Sequence, residues 1–284
     1  MTRPASTSTE LSTAAEERRI VMSTALTSSH ATPPTPTTAA TAIRPQRLST
    51  VFLVELRKLT DTRSGKAIVG IGVAIPLIAL TWLLIKGTGS DQSWRAYSPF
   101  MPVLSLTIPL IGLFAMTAEW TQRTALTTFT LSPRRGRVLA MKFLASFAMS
   151  MVVTAVVVGL TIGATALGGL INGETPSFEY LGSDVRGLII MLALQVTMAA
   201  GFGALAAQTA VAVGAFLVAP MVWTAVGPLL FGENAQWLDV FSAYARLSSD
   251  TPLTDLPQTL VAITLWVILP TTIGVVRSLR REVK

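Results

Sequence analysis

Glu119–Ser146 reads EWTQRTALTTFTLSPRRGRVLAMKFLAS. It begins where one long apolar run, Tyr97–Ala118, ends, and it leads into another, Val138–Leu160. It carries one acid, five bases and five threonines, and Ser132-Pro133 breaks it. If the flanking runs are spanning helices, this stretch is a loop on one side of a membrane. Its charge then says which side.

Composition supports that reading. Of 284 residues, 51% are hydrophobic and only 13% charged, and the mean hydropathy is +0.58. Soluble domains carry roughly a quarter charged residues. Spanning helices need about 20 apolar residues each, and six runs qualify: Ala67–Ile85, Tyr97–Ala118, Val138–Leu160, Gly187–Ala207, Ala210–Phe231 and Pro257–Val276. None alternates in the way a barrel strand does. The expected fold is therefore an all-α membrane protein with six transmembrane helices. Only Gln208 and Thr209 part the fourth run from the fifth, so that turn must be tight.

Six spans place both termini on one side. That side takes nine bases before the first span, five in the opening stretch and four in the tail, which makes 18 of the 22 Lys and Arg. The other side takes Lys86, Arg95, Arg186 and Arg246 with eight acids. The positive-inside rule makes the basic side cytoplasmic, with both termini inside. The net charge of +7 is thus a topology signal and not a nucleic-acid footprint. The chain has no cysteine, which excludes disulfides and thiolate metal sites. The lone His30 has no ligand partners nearby in a Thr/Pro/Ala-rich tract.

Residues 1–46 are rich in Thr, Ser, Pro and Ala and read as a disordered tail without a secretory apolar core; Met22 is a second candidate start. Residues 47–65 follow as a separate amphipathic segment, and 66–284 as the six-helix domain. In Leu48–Thr60, LSTVFLVELRKLT, the residues Leu48, Phe52, Leu56 and Leu59 fall at near-helical spacing, and Glu55, Arg57, Lys58 and Asp61 lie mostly off that stripe. Ser49 or Thr50 could cap that helix. Its expected place is the cytoplasmic interface, apolar side in lipid and Arg57 and Lys58 toward headgroups. Asp61, Ser64 and Gly65 are expected to turn the chain into the first span. On the other side, Gly232–Leu256 contains QWLDVFSAYARL, apolar enough for one or two short helices.

No catalytic constellation is legible. The phosphate-loop pattern is absent, since Ser64-Gly65-Lys66-Ala67 lacks the first glycine and the final hydroxyl. Lys86, Glu119 and Lys142 lie near helix ends, where side chains can snorkel. The deep polar groups are amides and hydroxyls: Gln195, Thr107, Thr154, Thr197 and Thr224. An ion-driven carrier needs an acid or histidine at depth, and none is placed there. Pro102, Pro109, Pro220 and Pro270 are placed to kink helices. Gly159 and Gly163 form a small-residue face, and Gly201 and Gly203 a second close-approach point.

Within the opening stretch, Glu119–Thr130 can form a short helix with Trp120, Leu126 and Phe129 as its apolar contacts. Ser132 and Pro133 cap and start the next helix. Arg134, Arg135, Arg137 and Lys142 serve as topology signal and anchor.

These residues resemble the permease subunits of the ABC-2 type transporter family, over about residues 48–284. VELRKLTDTRSG (Val54–Gly65) resembles that family's opening. Glu119, Thr124, Thr130-Leu131-Ser132-Pro133-Arg134-Arg135 and Lys142 resemble its signature after the second helix. GFGALAAQTAVAVGAFLV (Gly201–Val218) resembles its stretch across helices four and five, and Arg280-Arg281-Glu282-Val283 its ending. Trp120-Thr121-Gln122 is more apolar than the usual pattern, and Arg123 stands where Gly is common.

The resemblance implies an interfacial connecting helix at Leu48–Thr60, with Phe52, Glu55, Arg57 and Lys58. It implies a cytoplasmic coupling helix, Glu119–Leu131, that meets an ATPase through Glu119, Trp120, Arg123, Thr124, Leu126, Thr127 and Phe129. It further implies a dimer of permease copies or paralogues in the plasma membrane. Two separate ATPase subunits would bind ATP and Mg, and this chain would hold no cofactor, metal or catalytic residue. The expected function is export of an unidentified substrate; the alternative is a non-transporting scaffold or sensor.

Overall fold

The computed structural model describes residues 47–89, 91–121, 135–249 and 255–280. Residues 46–284 form one compact unit. Among the described residues the architecture is all-helical. We number the helices α1 (Leu48–Asp61), α2 (Arg63–Lys86), α3 (Met101–Thr107), α4 (Leu110–Thr121), α5 (Arg135–Asn172), α6 (Leu181–Ala206), α7 (Thr209–Phe231), α8 (Val240–Ser248), α9 (Leu256–Ile263) and α10 (Leu269–Arg280).

Six segments are long and apolar enough to cross a membrane: Arg63–Lys86, Met101–Glu119, Gly136–Asn172, Leu181–Ala206, Thr209–Leu238 and Leu256–Arg280. They coincide with the six runs expected from sequence. Their outer surface is apolar. Ile78, Trp82 and Ile85 on α2, Leu170 on α5, and Met221, Leu229 and Leu230 on α7 are all exposed. Water would penalise such a surface and lipid would not. These are the helices of a multi-pass membrane protein.

The fourth span, α6, is the most buried of the six, and it packs against α4, α5, α7, α8 and α10. One apolar core, with Leu104, Ile108, Val157 and Leu192, lies between α6 and the first three spans. A second, with Leu113, Met198, Phe216 and Val267, lies on its other side. Small residues permit this crowding. A Cβ on Gly203 would sit 2.8 Å from Leu113 O, and one on Gly274 2.7 Å from Gly201 O. The expected close approach at Gly201 and Gly203 is therefore present. Gly159 and Gly163 differ: both are exposed and nothing lies near them, so within this chain they pack nothing.

Several boundaries depart from the sequence reading. The third span runs on to Asn172 as one helix of 38 residues. At about 1.5 Å per residue it is roughly 57 Å long, well beyond the ~30 Å apolar thickness of a bilayer. Its glycines do not stop it, because an isolated glycine costs only ~1 kcal/mol in a helix. The second span is broken between α3 and α4, where Pro109 removes a donor. Pro102 starts α3 instead of kinking it. Pro270 follows a π-helical turn, Thr264–Ile268, inside the last span, the expected local adjustment to a missing donor.

Helix α1 begins at Leu48 with Arg47 as N-cap and no side-chain cap bond, so neither Ser49 nor Thr50 caps it. The turn into α2 is made by Thr62, whose hydroxyl accepts from Gly65 N at 3.2 Å; Ser64 and Gly65 already belong to α2. The tight turn between α6 and α7 is Ala207-Gln208, with Ala207 left-handed at φ 53° and Gln208 extended. The short helices expected in Gly232–Leu256 are a 3-10 turn, Gly232–Leu238, and α8. Asp239 caps α8 by accepting from the backbone of Phe241 and Ser242.

Candidate functional site

Three helices converge where the second span ends and the third begins. On α1, Phe52, Glu55 and Leu59 share one face at steps of three and four. Leu56 and Phe52 pack on the main core, and Leu59 and Glu55 are buried. On α4, Ala115 and Glu119 line up in the same way, and on α5 Val138, Lys142, Ala145 and Met149 do; all are buried. So three charged residues occupy positions on inward-facing apolar stripes.

They sit there as a closed cluster. Lys142 Nζ donates to Glu55 Oε2 at 2.8 Å and lies 3.0 Å from Glu119 Oε1. Lys58 Nζ donates to Glu55 Oε1 at 2.7 Å and to Glu119 Oε1 at 3.0 Å. The side chains of Lys142, Glu55 and Glu119 are only 7%, 6% and 8% exposed, and that of Lys58 is 40% exposed. Among the described residues two acids and two bases balance, which is the condition for burying them. Burial pulls the Lys58 ammonium down. Its hydrogen bonds and charge contacts with Glu55, and then Glu119, outweigh that and hold it above the ordinary lysine value.

This corrects two expectations. Lys142 does not snorkel as a surface anchor, and Glu119 does not reach solvent, because each finds opposite charge inside the protein. Glu55 is not off the packed face of α1; it lies at its centre. That face meets α2 and α5, and Leu48, Leu53 and Val54 are the apolar residues left exposed. The step of three from Phe52 and four to Leu59 already placed Glu55 there. Arg57 is exposed and pairs with Asp61 at 3.3 Å, a surface contact of little energy.

Glu119, Trp120 and Thr121 belong to α4. Arg123, Thr124, Leu126, Thr127, Phe129 and Arg134 lie outside the described residues, as do 1–46. Arg135 opens α5, and Arg137 is exposed immediately before the buried face begins at Val138. The same end of the bundle carries a hydroxyl relay: Thr209 Oγ1 donates to Thr117 Oγ1 at 3.0 Å and lies 2.9 Å from Thr121 Oγ1. It ties the end of α4 to the start of α7.

The other deep polar groups are self-contained. Thr107, Thr154, Thr197 and Thr224 each donate to a carbonyl one turn back. Gln195 is the exception: it is buried and lines a small cavity with Met198, Phe216 and Tyr244. No family model, curated protein or solved structure matches the chain. The cluster therefore has to be read from its own chemistry. It holds no histidine, cysteine or hydroxyl nucleophile, and its carboxylates are neutralised. What it can do is transmit force: it fastens α1 to both helices that frame residues 122–134.

Proposed function

We propose that this chain is the membrane-spanning subunit of an ATP-driven exporter of the ABC-2 type. It lies in the plasma membrane with both termini cytoplasmic, paired with a second copy or a paralogue. A separate cytosolic ATPase subunit, binding ATP and Mg, supplies the work. The observation that carries this reading is the buried charge cluster. Glu119, near the end of α4, and Lys142, two turns into α5, lie on either side of the 122–134 segment, and both are bonded to α1. A push on that segment displaces α4 and α5, and the cluster makes α1 move with them. The proposed route of coupling is thus ATPase to coupling helix, coupling helix to α4 and α5, and through Glu55 and Lys58 to α1.

Co-purification tests it directly. The unaltered chain should retain a cytosolic ATPase carrying a phosphate loop. Leu126→Asp with Phe129→Asp should release it and abolish ATP-dependent export, leaving the membrane fold intact. If no ATPase is ever retained and the double variant behaves as the parent does, the proposal fails. A scaffold or sensor would instead give export that survives deletion of the chain while signalling is lost.

A further inference from the structure

At the opposite end of the bundle from the charge cluster, the connection between α2 and α3 meets the connection between α5 and α6. Ser177 N donates to Gln92 O and Trp94 N to Ser177 O, both at 2.9 Å. Arg95 closes the junction with a two-pronged bond to Asp184, at 2.9 and 2.8 Å, and its guanidinium lies 4.3 Å from the centre of the Tyr180 ring. Beneath this clasp is a cavity of about 320 Å³ between α3, α6 and α8. That volume is within the range of small-molecule sites.

Its lining is specific. Trp94 is only 2% exposed and lines the cavity; among the described residues its hydrogen bond is made by the backbone, to Ser177 O. A tryptophan so covered ordinarily finds an acceptor for its indole N–H, and the cavity is where one can reach it. Ser98 and Ser248 also line the cavity. Each already donates, Ser98 to Arg95 O at 3.2 Å and Ser248 to Gly187 O at 3.3 Å. What they have left to offer is lone pairs. Met101, Leu188 and Met191 supply an apolar wall. The charge of Asp184 is matched by Arg95, so the site selects no ion.

We propose that this cavity binds an uncharged amphiphile of the acyl-glycerol class. An ester carbonyl accepts from the Trp94 N–H, free hydroxyls donate to Ser98 and Ser248, and the chain lies along the methionines and Leu188. The assignment stands on the cavity alone and does not depend on what drives the bundle.

The test uses the full chain in nanodiscs and a monoacylglycerol brominated on its acyl chain. Bromine quenches nearby tryptophan emission, and Trp94 is one of six tryptophans. The expected result is a saturable quenching component that unbrominated monoacylglycerol displaces and stearate does not. Trp94→Phe should remove that component, and retention of tritiated monoacylglycerol by the same variant should weaken roughly three- to tenfold, the usual worth of one hydrogen bond. Ser98→Leu, which fills the cavity, should abolish both signals. Quenching that rises without saturation and is equal in all three proteins would mean annular lipid contact only, and would overturn the proposal. Equal displacement by stearate would overturn the acyl-glycerol assignment. If Ser98→Leu does not fold, competition on the unaltered chain decides alone.

Discussion

At the scale of single residues, the cluster of Glu55, Lys58, Glu119 and Lys142 makes unequal demands on its members. Lys142→Met leaves two buried carboxylates facing one half-exposed lysine, and removing one partner of a buried pair costs about 3–5 kcal/mol. We expect a clear fall in Tm in detergent for Lys142→Met, and a smaller one for Lys58→Met, whose side chain is partly solvated already. Replacing all four by apolar residues of similar size should recover much of the loss, because no charge is then left buried. That variant separates stability from coupling: it should fold, and ATP-dependent export should still be lost. The pH response follows from Lys58. Its pKa is higher in the folded chain than the usual 10.5, so its contribution is complete below that value and disappears as pH rises through the folded pKa. Thermal unfolding of parent and Lys58→Met should therefore differ fully below pH 10.5 and converge only as pH passes the folded pKa above it. Gln195 gives the opposite expectation. Its amide lines a cavity and makes no hydrogen bond among the described residues, so Gln195→Leu should leave Tm unchanged or raise it; a large fall would mean the amide is satisfied by bound water.

At the scale of helices, two kinds of glycine are separated by their surroundings. Gly203→Leu should disrupt the packing of α6 on α4, since even a Cβ there lies 2.8 Å from a carbonyl. Gly159→Leu, with open space around it, should be tolerated by the isolated subunit; Tm of the two variants side by side checks this. Ala207 holds a left-handed conformation that costs an alanine roughly 1–2 kcal/mol, and Ala207→Gly should relieve part of it. The sequence carried the six spans, a tight turn next to Gln208 and the short helices of Gly232–Leu256, because each is written in local composition: apolar length, a two-residue gap, an apolar stretch within a polar loop. The cluster is a different matter, because the apolar stripe read from sequence leaves Glu55 off it, whereas the structure buries Glu55. The spacing of Phe52, Glu55 and Leu59 places a carboxylate on the packed face. That Lys142 answers it was not legible, because the two are 87 positions apart and only the packing of α1 on α5 joins them. The continuation of α5 to Asn172 was not legible past the apolar run, because what carries it is packing: Gly168 lies against Tyr97 and Gly169 against Glu174 and Pro176, while Gly163 faces open space.

At the scale of the whole molecule, orientation is the claim most open to direct measurement. The chain has no cysteine, so single introduced thiols report cleanly. Thr88→Cys should react with an impermeant maleimide in intact cells and Ser64→Cys only after the membrane is opened; the reverse pattern would invert the proposed topology. The length of α5 has a related effect: a helix of roughly 57 Å exceeds ~30 Å of hydrocarbon, and the chain that follows its far end forms the clasp between Gln92 and Ser177. The charge cluster also sets a timetable. Glu55 and Lys58 emerge from the ribosome long before Lys142, and at about 5–20 residues per second they wait several seconds for their counterpart. Until the third span has been inserted, α1 has no neutral socket to enter. Helix α1, made first among the described helices, is thus among the last to be seated, and a stalled or truncated chain is distinguishable by an α1 that a protease can still reach.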